Sequence, residues 1–439
     1  MNKLVRLVPF AISLFLSSFL PDAMFGQAFT AKELPLLIQR GGYVIGSAVN
    51  DSGQVVGRAN YQQLPLEIWR AFLWSPATGI QDLGTLYFES GATGVNNLGE
   101  VVGFSGDPGG ASRAFLWSPS MGMVSLGTLG GDYSHAHGIN DAQLVVGSTS
   151  TSGGTDSVPF LWTQSSGMQP LDGVVGGAMA VNNSGQVAGF CCGYQDSTHA
   201  FVWSQESGFQ DLGVLPGFDG SFASAISDNG QVVGTLLSST KDWHAFRWTA
   251  AAGMQDIGDL GPGTYPPSVE GVNNSGLVTG TSALPSEHAF VWTAAAGFQD
   301  LNILTKGFGS RKFLLDARAI NNWGQIVAIG QVSTGIRTWL LTPIVSISLT
   351  SSPNPSRVGE EVTFAATANS INGPAPDGDQ VIFLDGNTVL GQSSIAGGVA
   401  KFSTSTLNVR QHPIYAVFAG DPVYALRRKS GKVVQVVTK

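Results

Sequence analysis

The side chains best suited to ligand chemistry are aromatic and acidic residues in the most variable segments of residues 29–343. The tyrosines of this region are Tyr43, Tyr61, Tyr87, Tyr133, Tyr194 and Tyr265. The tryptophans and aspartates in the same kind of segment include Trp69, Trp243, Asp107, Asp132, Asp196, Asp219 and Asp242. Aromatic rings with a polar edge, beside hydrogen-bonding groups, suit a sugar chain or a protein partner. The simpler interpretation is that tyrosine is tolerated in half-exposed loops.

From this set we select candidate ligand-binding residues and place the tyrosines in links between strands, outside the strands themselves. The candidates are Tyr61, Tyr87, Tyr133, Tyr194, Tyr265, Trp243, Asp132 and Asp219. Carboxylates in these segments could also hydrolyse or eliminate sugars if two were held at the right separation. Nothing in the sequence decides which two would pair, so no catalytic residue is assigned.

Histidines give little support for a metal site. His135 and His137 stand beside Asp132 in one segment only, and His137 falls in a predicted strand, where packing is the expected role. We predict that His199, His244 and His288 each make one repeated hydrogen bond to the neighbouring sheet. The sequence contains no nucleophile elbow, phosphate loop or zinc spacing, and no cofactor or metal is predicted.

Residues 29–343 contain a sequence repeat, which sets the spacing of these candidate residues. A turn string such as AVNDSGQVVG recurs seven times, and its first polar residues are Asn50, Asn96, Asn140, Asn182, Ser227, Asn273 and Asn321. A second string such as AFLWSPATGIQDLG alternates with it, and its tryptophans are Trp74, Trp117, Trp162, Trp203, Trp248, Trp292 and Trp339. Two sequence strings that alternate along the chain with the same period of about 45 residues indicate a repeat architecture. We call the repeats units 1 to 7.

Each unit is predicted to contain two β-hairpins. Asn50 suits the first position of a type I turn, and Gly53 suits the left-handed position that follows, although the third copy has Gln143 there. A glycine five residues after each tryptophan makes the second turn. The turns keep their length while the links between hairpins vary. Strand direction therefore puts the turns on one face (the turn face) and the links on the other (the link face).

Four strands with two apolar faces must be covered on both sides. This favours an all-β fold, a seven-bladed β-propeller of four-stranded antiparallel blades over residues 29–343, with a parallel β-helix as the competing fold. The segment AFTAKELPLL resembles a fourth strand, and RTWLLTP before residue 344 resembles a third strand. The two ends of the region should therefore complete one sheet and leave no exposed sheet edge.

The strings HAFVW at His199 and His288, HAFRW at His244 and SLGTLGG at Ser125, together with the turn string, resemble the HAF family of extracellular bacterial repeats. The resemblance implies export and a propeller, and it implies no catalytic residues. Residues 344–439 lose the period and show alternating strands between turn signals, as in a β-sandwich. This segment resembles a bacterial Ig-like repeat domain, without the cysteines of antibody domains.

Bulk properties limit the remaining possibilities. The N-terminal residues 1–28 have the charge and apolar pattern of a signal peptide, and no other segment is long and apolar enough to span a membrane. A net charge of -8 argues against a nucleic-acid partner. The neighbouring Cys191 and Cys192 are too close for an ordinary disulfide, because adjacent Cα atoms lie about 3.8 Å apart and disulfides need about 4.4 Å.

We therefore expect a monomeric protein that is secreted, at the cell surface or periplasmic. Its expected role is non-enzymatic binding, adhesion or scaffolding, with a glycan or a cell-surface protein as partner on the link face. The alternative is an extracytoplasmic polysaccharide hydrolase or lyase that uses carboxylates on the same face. A structural spacer is a third possibility. Catalysis would need two or three acidic, His, Arg or Tyr side chains converging on one site, whereas dispersed charges would favour binding.

Overall fold

A computed structural model describes residues 27–37, 42–62, 67–106, 109–153, 157–171, 175–192, 198–240, 242–261, 267–283, 287–309, 311–420 and 428–439. Most of these residues are in β-strands, and one short helix, α1, spans Leu301–Leu304. Within these ranges no helix has the length and apolar character needed to cross a membrane. The predicted signal peptide, 1–28, lies outside the described residues except for its last two positions.

The repeat region contains strands β1 to β28. In chain order they are β1 Phe29–Glu33, β2 Val44–Val49, β3 Val55–Gln62, β4 Ile68–Ser75, β5 Gly79–Asp82, β6 Glu89–Val95, β7 Val101–Gly106, β8 Ser112–Ser118, β9 Gly122–Gly127, β10 Gly130–Ile139, β11 Val145–Thr151, β12 Ser157–Thr163, β13 Gly167–Pro170, β14 Gly176–Val181, β15 Val187–Cys192, β16 Thr198–Ser204, β17 Gly208–Gly213, β18 Gly220–Ile226, β19 Val232–Leu237, β20 Trp243–Thr249, β21 Gly253–Asp259, β22 Ser268–Val272, β23 Val278–Ser282, β24 His288–Thr293, β25 Gly297–Asp300, β26 Lys312–Ile320, β27 Ile326–Val332 and β28 Gly335–Pro343.

The strands of each unit pair antiparallel in chain order. Units 1, 4, 5 and 6 form the separate sheets β2-β3-β4-β5, β14-β15-β16-β17, β18-β19-β20-β21 and β22-β23-β24-β25. Units 2 and 3 are joined into one eight-stranded sheet by a single parallel pairing, Tyr133 with Ser112. The prediction of four-stranded antiparallel sheets is confirmed, and the join between units 2 and 3 is a feature that the repeat did not indicate.

The turn string forms the same turn in every unit. In unit 1, Asn50 Oδ1 accepts hydrogen bonds from the backbone N–H of Ser52 at 3.1 Å and of Gln54 at 2.9 Å. Gly53 has φ 71°, in the left-handed region that glycine adopts without steric cost. Gln143 has φ 59°, so the third turn keeps this geometry despite its side chain. A residue other than glycine in this left-handed conformation costs on the order of 1 kcal/mol of stability.

The two ends of the repeat region meet in one sheet. Strand β1 pairs antiparallel with β28, with Glu33 opposite Trp339, and the order of this sheet is β1-β28-β27-β26. Unit 7 also packs on unit 1, because Val327 and Leu340 share a buried cluster with Phe72 and Trp74. The predicted closure is confirmed, and the apolar sheet faces are covered by neighbouring sheets.

The C-terminal region is a sandwich of two sheets. Its strands are β29 Ser346–Ser352, β30 Ser356–Arg357, β31 Val362–Ser370, β32 Gly373–Pro374, β33 Gln380–Asp385, β34 Thr388–Ser394, β35 Val399–Thr404, β36 Gln411–Phe418, β37 Arg428–Lys429 and β38 Val433–Thr438. One sheet contains β29, β31, β32 and β35, and the other contains β30, β38, β36, β33, β34 and β37. Phe364, Phe383 and Phe418 are fully buried between them. Packing thus supplies a core without cysteines.

Candidate functional site

Hydrogen bonds link the turns of successive units into a closed ring on the turn face. The first polar residue of each turn string, Asn50 in unit 1, is called the ring asparagine, and Ser227 takes its place in unit 5. The residue that follows this position donates its backbone N–H to the side-chain Oδ1 of the equivalent residue in the next unit. The participants are Asp51, Asn97, Asp141, Asn183, Asp228, Asn274 and Asn322, and Asn322 donates back to Asp51 at 2.9 Å. These residues surround a polar cavity of about 150 Å³. Their amides and carboxylates are occupied with one another, so this ring is structural.

A β-bulge interrupts the first strand of every unit at the same place. The residues skipped in the pairing are Ser47, Thr93, His137, Met179, Ser224, Glu270 and Arg318. A bulge re-aims a side chain and is common beside functional sites. Small polar residues, methionine and one histidine fill the position in units 1 to 5, whereas units 6 and 7 place Glu270 and Arg318 on one cavity.

This cavity of about 360 Å³ lies toward the link face, between the first strands of units 6 and 7. Asp316 accepts hydrogen bonds from Thr281 Oγ1 at 2.9 Å and from Arg318 Nε at 2.7 Å. Glu270 accepts a hydrogen bond from Ser268 Oγ at 2.6 Å. Glu287 also lines the cavity, so three carboxyl groups, one guanidinium and two hydroxyls converge, and we call this set the Glu270 cavity.

The carboxyl groups of Glu270 and Asp316 have different environments. Burial, and secondarily the charge of Asp316, raises the pKa of Glu270 to about 7, against weaker opposing effects of Ser268 and Arg318. Asp316 instead holds an ion pair with Arg318. Near neutral pH the cavity therefore contains a carboxyl group that can donate or accept a hydrogen bond, and a carboxylate whose charge is balanced.

A second arginine extends the charged region toward unit 1. Burial, then the charge of Arg318, lowers the pKa of Arg58, while Glu89 opposes that shift. The Arg58 guanidinium lies over the Trp69 ring, 4.9 Å from its centre, a cation–π arrangement that fixes both side chains. The link face thus presents charged groups from units 6, 7 and 1.

The residues predicted from the sequence lie elsewhere. Tyr194 and Tyr265 fall outside the described residues, and for Tyr61 only the backbone is described. Tyr61 belongs to β3 and Tyr133 to β10, so the expectation that the tyrosines avoid strands is wrong for these two, and Trp243 is the first residue of β20. The strands extend further into the links than turn signals alone indicated, because the backbone pairing continues past the apolar run.

The remaining candidates form two separate groups. Tyr87 belongs to a link in unit 2, and Asp132 and Tyr133 lie where units 2 and 3 meet; Arg113 Nη1 donates to the Asp132 carbonyl at 2.5 Å. Asp219 and Trp243 lie together in unit 5, since the Asp219 N–H donates to the Leu237 carbonyl and Trp243 pairs with Leu237. None of these residues lines the Glu270 cavity.

The histidine prediction needs a correction. His199, His244 and His288 bond through Nδ1 to Asp211, Asp256 and Asp300 at 2.9, 2.7 and 2.7 Å. Each aspartate is on the fourth strand of the same unit, so the bond fastens two strands of one sheet and does not reach the neighbouring sheet. His137 Nε2 lies 3.0 Å from Ser148 Oγ, and burial, then the charge of His135, lowers its pKa to about 4.

Sequence reasoning missed Glu270, Asp316 and Arg318 because it searched the links. The available signal was the residue three positions before each turn residue, which is ionisable only in units 3, 6 and 7. Comparing the units at that position would have singled out His137, Glu270 and Arg318. Among the described residues, no group of three or more His, Cys, Asp or Glu side chains is arranged to hold a metal ion.

Comparison with known proteins identifies the C-terminal region. Residues 349–438 match the family described as a bacterial Ig-like domain (group 3), which confirms the prediction for that segment. No curated protein sequence matches the chain significantly.

Among solved structures, TolB from Acinetobacter baumannii is similar with 9% identity and a TM-score of 0.41 over 66% of this chain. This chain covers 63% of TolB, less than two thirds of its length. A gluconolactonase from Xanthomonas campestris is similar with 11% identity and a TM-score of 0.34, over 57% of this chain and 86% of that protein.

Proposed function

We propose that this protein is an exported binding module in which residues 29–343 form a seven-bladed β-propeller that holds a hydroxyl-rich ligand, a glycan, in the Glu270 cavity. The closed ring of turn hydrogen bonds and the shared sheet of β1 and β28 support the propeller. The HAF-like strings and the pattern of residues 1–28 support export.

The composition of the Glu270 cavity carries the proposal. Glu270 near its pKa can donate and accept, Asp316 accepts, and Arg318 donates, so alternating sugar hydroxyls find partners of both kinds. Asp316 and Arg318 form an ion pair, and the carboxyl groups of Glu270 and Glu287 add hydrogen-bonding groups that suit the hydroxyls of a sugar. A volume of about 360 Å³ is at the small end of ligand sites and suits one sugar ring of a longer chain.

The aromatic residues predicted from the sequence would then contact the part of a longer glycan that lies outside the cavity. Tyr87 has an exposed side chain on the link face, and Tyr133 lies in the same part of the ring. Stacking of sugar rings on such side chains would add contact area. Tyr61, Tyr194, Tyr265, Trp243, Asp132 and Asp219 remain candidates from the sequence alone.

A second function, hydrolysis or elimination on a polysaccharide, is favoured by one specific observation. Two of the carboxyl groups that line the cavity differ in environment, since burial raises the pKa of Glu270 to about 7 and Asp316 is ion-paired with Arg318. Such a pair is the usual division between a general acid and a charged carboxylate. Catalysis would need acidic side chains that converge on one site, and Glu270 and Asp316 line the same cavity.

A glycan array with the chain from residue 29 onward tests both functions. We expect retention of a glycan by the parent protein and a loss of at least tenfold in affinity for Glu270→Gln and Asp316→Asn. Glu206→Gln, at an exposed turn of unit 4, is the matched control and should bind like the parent. Assays of the retained glycan for new reducing ends or unsaturated products then separate binding from catalysis. Full binding by both cavity variants would contradict the proposed site.

A further inference from the structure

One position of the third strand departs from its repeat. This position directly precedes the tryptophan in units 1 to 6, and strand register makes Leu340 its equivalent in unit 7. It is apolar in six units and basic in one, in the order Leu73, Leu116, Leu161, Val202, Arg247, Val291 and Leu340. Most of the apolar residues are buried. Arg247 on β20 therefore puts a guanidinium where the architecture accommodates a Leu or Val side chain.

Arg247 lines a crevice between the repeat region and the Ig-like domain. The cavity has a volume of about 340 Å³ on the turn face of units 5 and 6. One wall contains Gln231, Arg247 and Leu277, and the other contains Ile371 and Asn372 of the Ig-like domain. Both the repeat region and the Ig-like domain therefore form this crevice.

The Ig-like wall is fixed by hydrogen bonds. Asn372 Oδ1 accepts from Asn273 Nδ2 at 2.8 Å, and Asn372 Nδ2 donates to the Asn322 carbonyl at 2.9 Å. In most units the ring asparagine donates to an acid or amide four residues later, as Asn50 does to Gln54 at 2.7 Å. Unit 6 has Leu277 at that place, so Asn372 supplies the missing acceptor.

Two polar groups of this crevice lack partners. Among the described residues, none makes a hydrogen bond to the buried Nε of Arg247 or an ion pair with its guanidinium. Gln231 is 8% exposed, and its buried Oε1 also has no hydrogen-bond partner. The cause is local: Ser227 replaces the asparagine whose Nδ2 reaches this oxygen in units such as unit 7, where Asn321 bonds Gln325 Oε1 at 2.8 Å.

An unpaired cation and an unpaired acceptor in one partly apolar crevice define the missing ligand. A buried guanidinium N–H without a hydrogen-bond partner is costly, and a single guanidinium fork matches one carboxylate. Gln231 Oε1 needs a donor, which a hydroxyl beside that carboxylate would supply. We propose that the crevice between unit 5, unit 6 and the Ig-like domain binds a hydroxylated carboxylate, the chemistry of a uronic acid. This site lies on the opposite face from the Glu270 cavity and is independent of it.

Isothermal titration of the chain from residue 29 to 439 tests the proposal, with D-glucuronate, D-glucose and inorganic phosphate as separate ligands. The parent protein should bind glucuronate at least tenfold more tightly than glucose or phosphate. Arg247→Leu, which restores the residue class of the other units, should weaken glucuronate binding at least tenfold. Arg357→Leu removes one exposed charge from the far part of the Ig-like domain and should leave binding unchanged.

Three results would overturn the proposal. They are equal binding of glucuronate and glucose by the parent protein, tighter binding of phosphate than of glucuronate, or parent-like glucuronate binding by folded Arg247→Leu. If Arg247→Leu does not fold, Arg247→Lys keeps the charge but loses the planar fork. Glucuronate binding should then weaken several-fold, and unchanged affinity contradicts the proposal. Glu270→Gln should bind glucuronate normally, so failure here is distinguishable from failure of the proposed glycan site.

Discussion

The turn face and the link face of the repeat region obey different constraints. On the turn face the same hydrogen bond, from a backbone N–H to a side-chain Oδ1, recurs in every unit, and Asn322 closes the ring by donating to Asp51. On the link face the bulged residue of each first strand differs from unit to unit, from Ser47 to Glu270 and Arg318. A closed ring of bonds demands one geometry at each member, whereas a bulge sets only the direction of a side chain. Repetition thus stabilises the ring of turns, whereas the ionisable side chains Glu270 and Arg318 stand at a position that varies between units.

The exceptions on the turn face support the same conclusion. Ser227, Arg247 and Leu277 each depart from the repeat, and all three lie in units 5 and 6 beside the Ig-like domain. Asn372 compensates for Leu277 by accepting the bond that a glutamine side chain accepts elsewhere. Unit 3 also departs from the repeat, with Gln143 and Leu144 in its turn, so contact with the Ig-like domain accompanies some of the departures on this face.

The largest expected effect comes from breaking the ring. Asn321 makes four hydrogen bonds, to the Asn50 carbonyl, to Gln325 Oε1, and from the N–H groups of Trp323 and Gln325. Asn321→Ala should lower the free energy of unfolding by about 4 kcal/mol, at about 1 kcal/mol per bond. Urea unfolding followed by tryptophan fluorescence measures this value.

Ser227→Ala is the matched control, because serine at the same ring position makes fewer bonds across the turn. Its loss should be about 1 to 2 kcal/mol. Equal losses for Asn321→Ala and Ser227→Ala would show that the ring amides do not hold the units together.

The second largest expected effect is a pH dependence of the free energy of unfolding that originates at Glu270, on the link face. Burial raises the pKa of Glu270 from 4.5 to about 7, so the folded chain binds this proton more tightly than the unfolded chain does. The stability associated with the proton is fully present below pH 4.5 and is lost as the pH rises through about 7. The loss should approach about 3 kcal/mol above that pH.

Glu270→Gln should remove this pH dependence, and Glu206→Gln, at an exposed turn, should retain it. The measurement is the free energy of unfolding of each variant from pH 4 to pH 9. A Glu270→Gln protein whose stability falls with pH as steeply as the parent would show that the carboxyl group is well solvated.

The smallest expected effect is a repair of the turn face. Ser227→Asn restores the ring asparagine of unit 5 and supplies a donor for the unpartnered Gln231 Oε1. The free energy of unfolding should rise by about 1 kcal/mol, the net contribution of a hydrogen bond. Chemical denaturation with the parent as reference is sufficient, and a destabilised variant would mean that Asn229, which donates to the Asn274 carbonyl, already completes this turn.

Much of the fold was predictable because its causes are local. Gly53 and its equivalents mark turns that need left-handed backbone, and the alternation of Phe72 and Trp74 marks strands. The segment Phe29–Glu33 resembles the fourth strand of a unit, and this resemblance predicted its pairing with β28. The candidate site was not predictable in the same way, because the search followed loop variability to Tyr87, Tyr133 and Trp243.

The period, the hairpins, the meeting of the two ends of the repeat region and the Ig-like domain could be inferred from the sequence, since they follow from dihedral preference and apolar alternation along the chain. The sharing of one cavity by Glu270 and Asp316, which belong to different units, and the contact of Asn372 with the ring follow instead from three-dimensional packing. Side chains from separate strands are brought together by the packing of whole sheets, and the order of residue types along the chain does not specify that geometry.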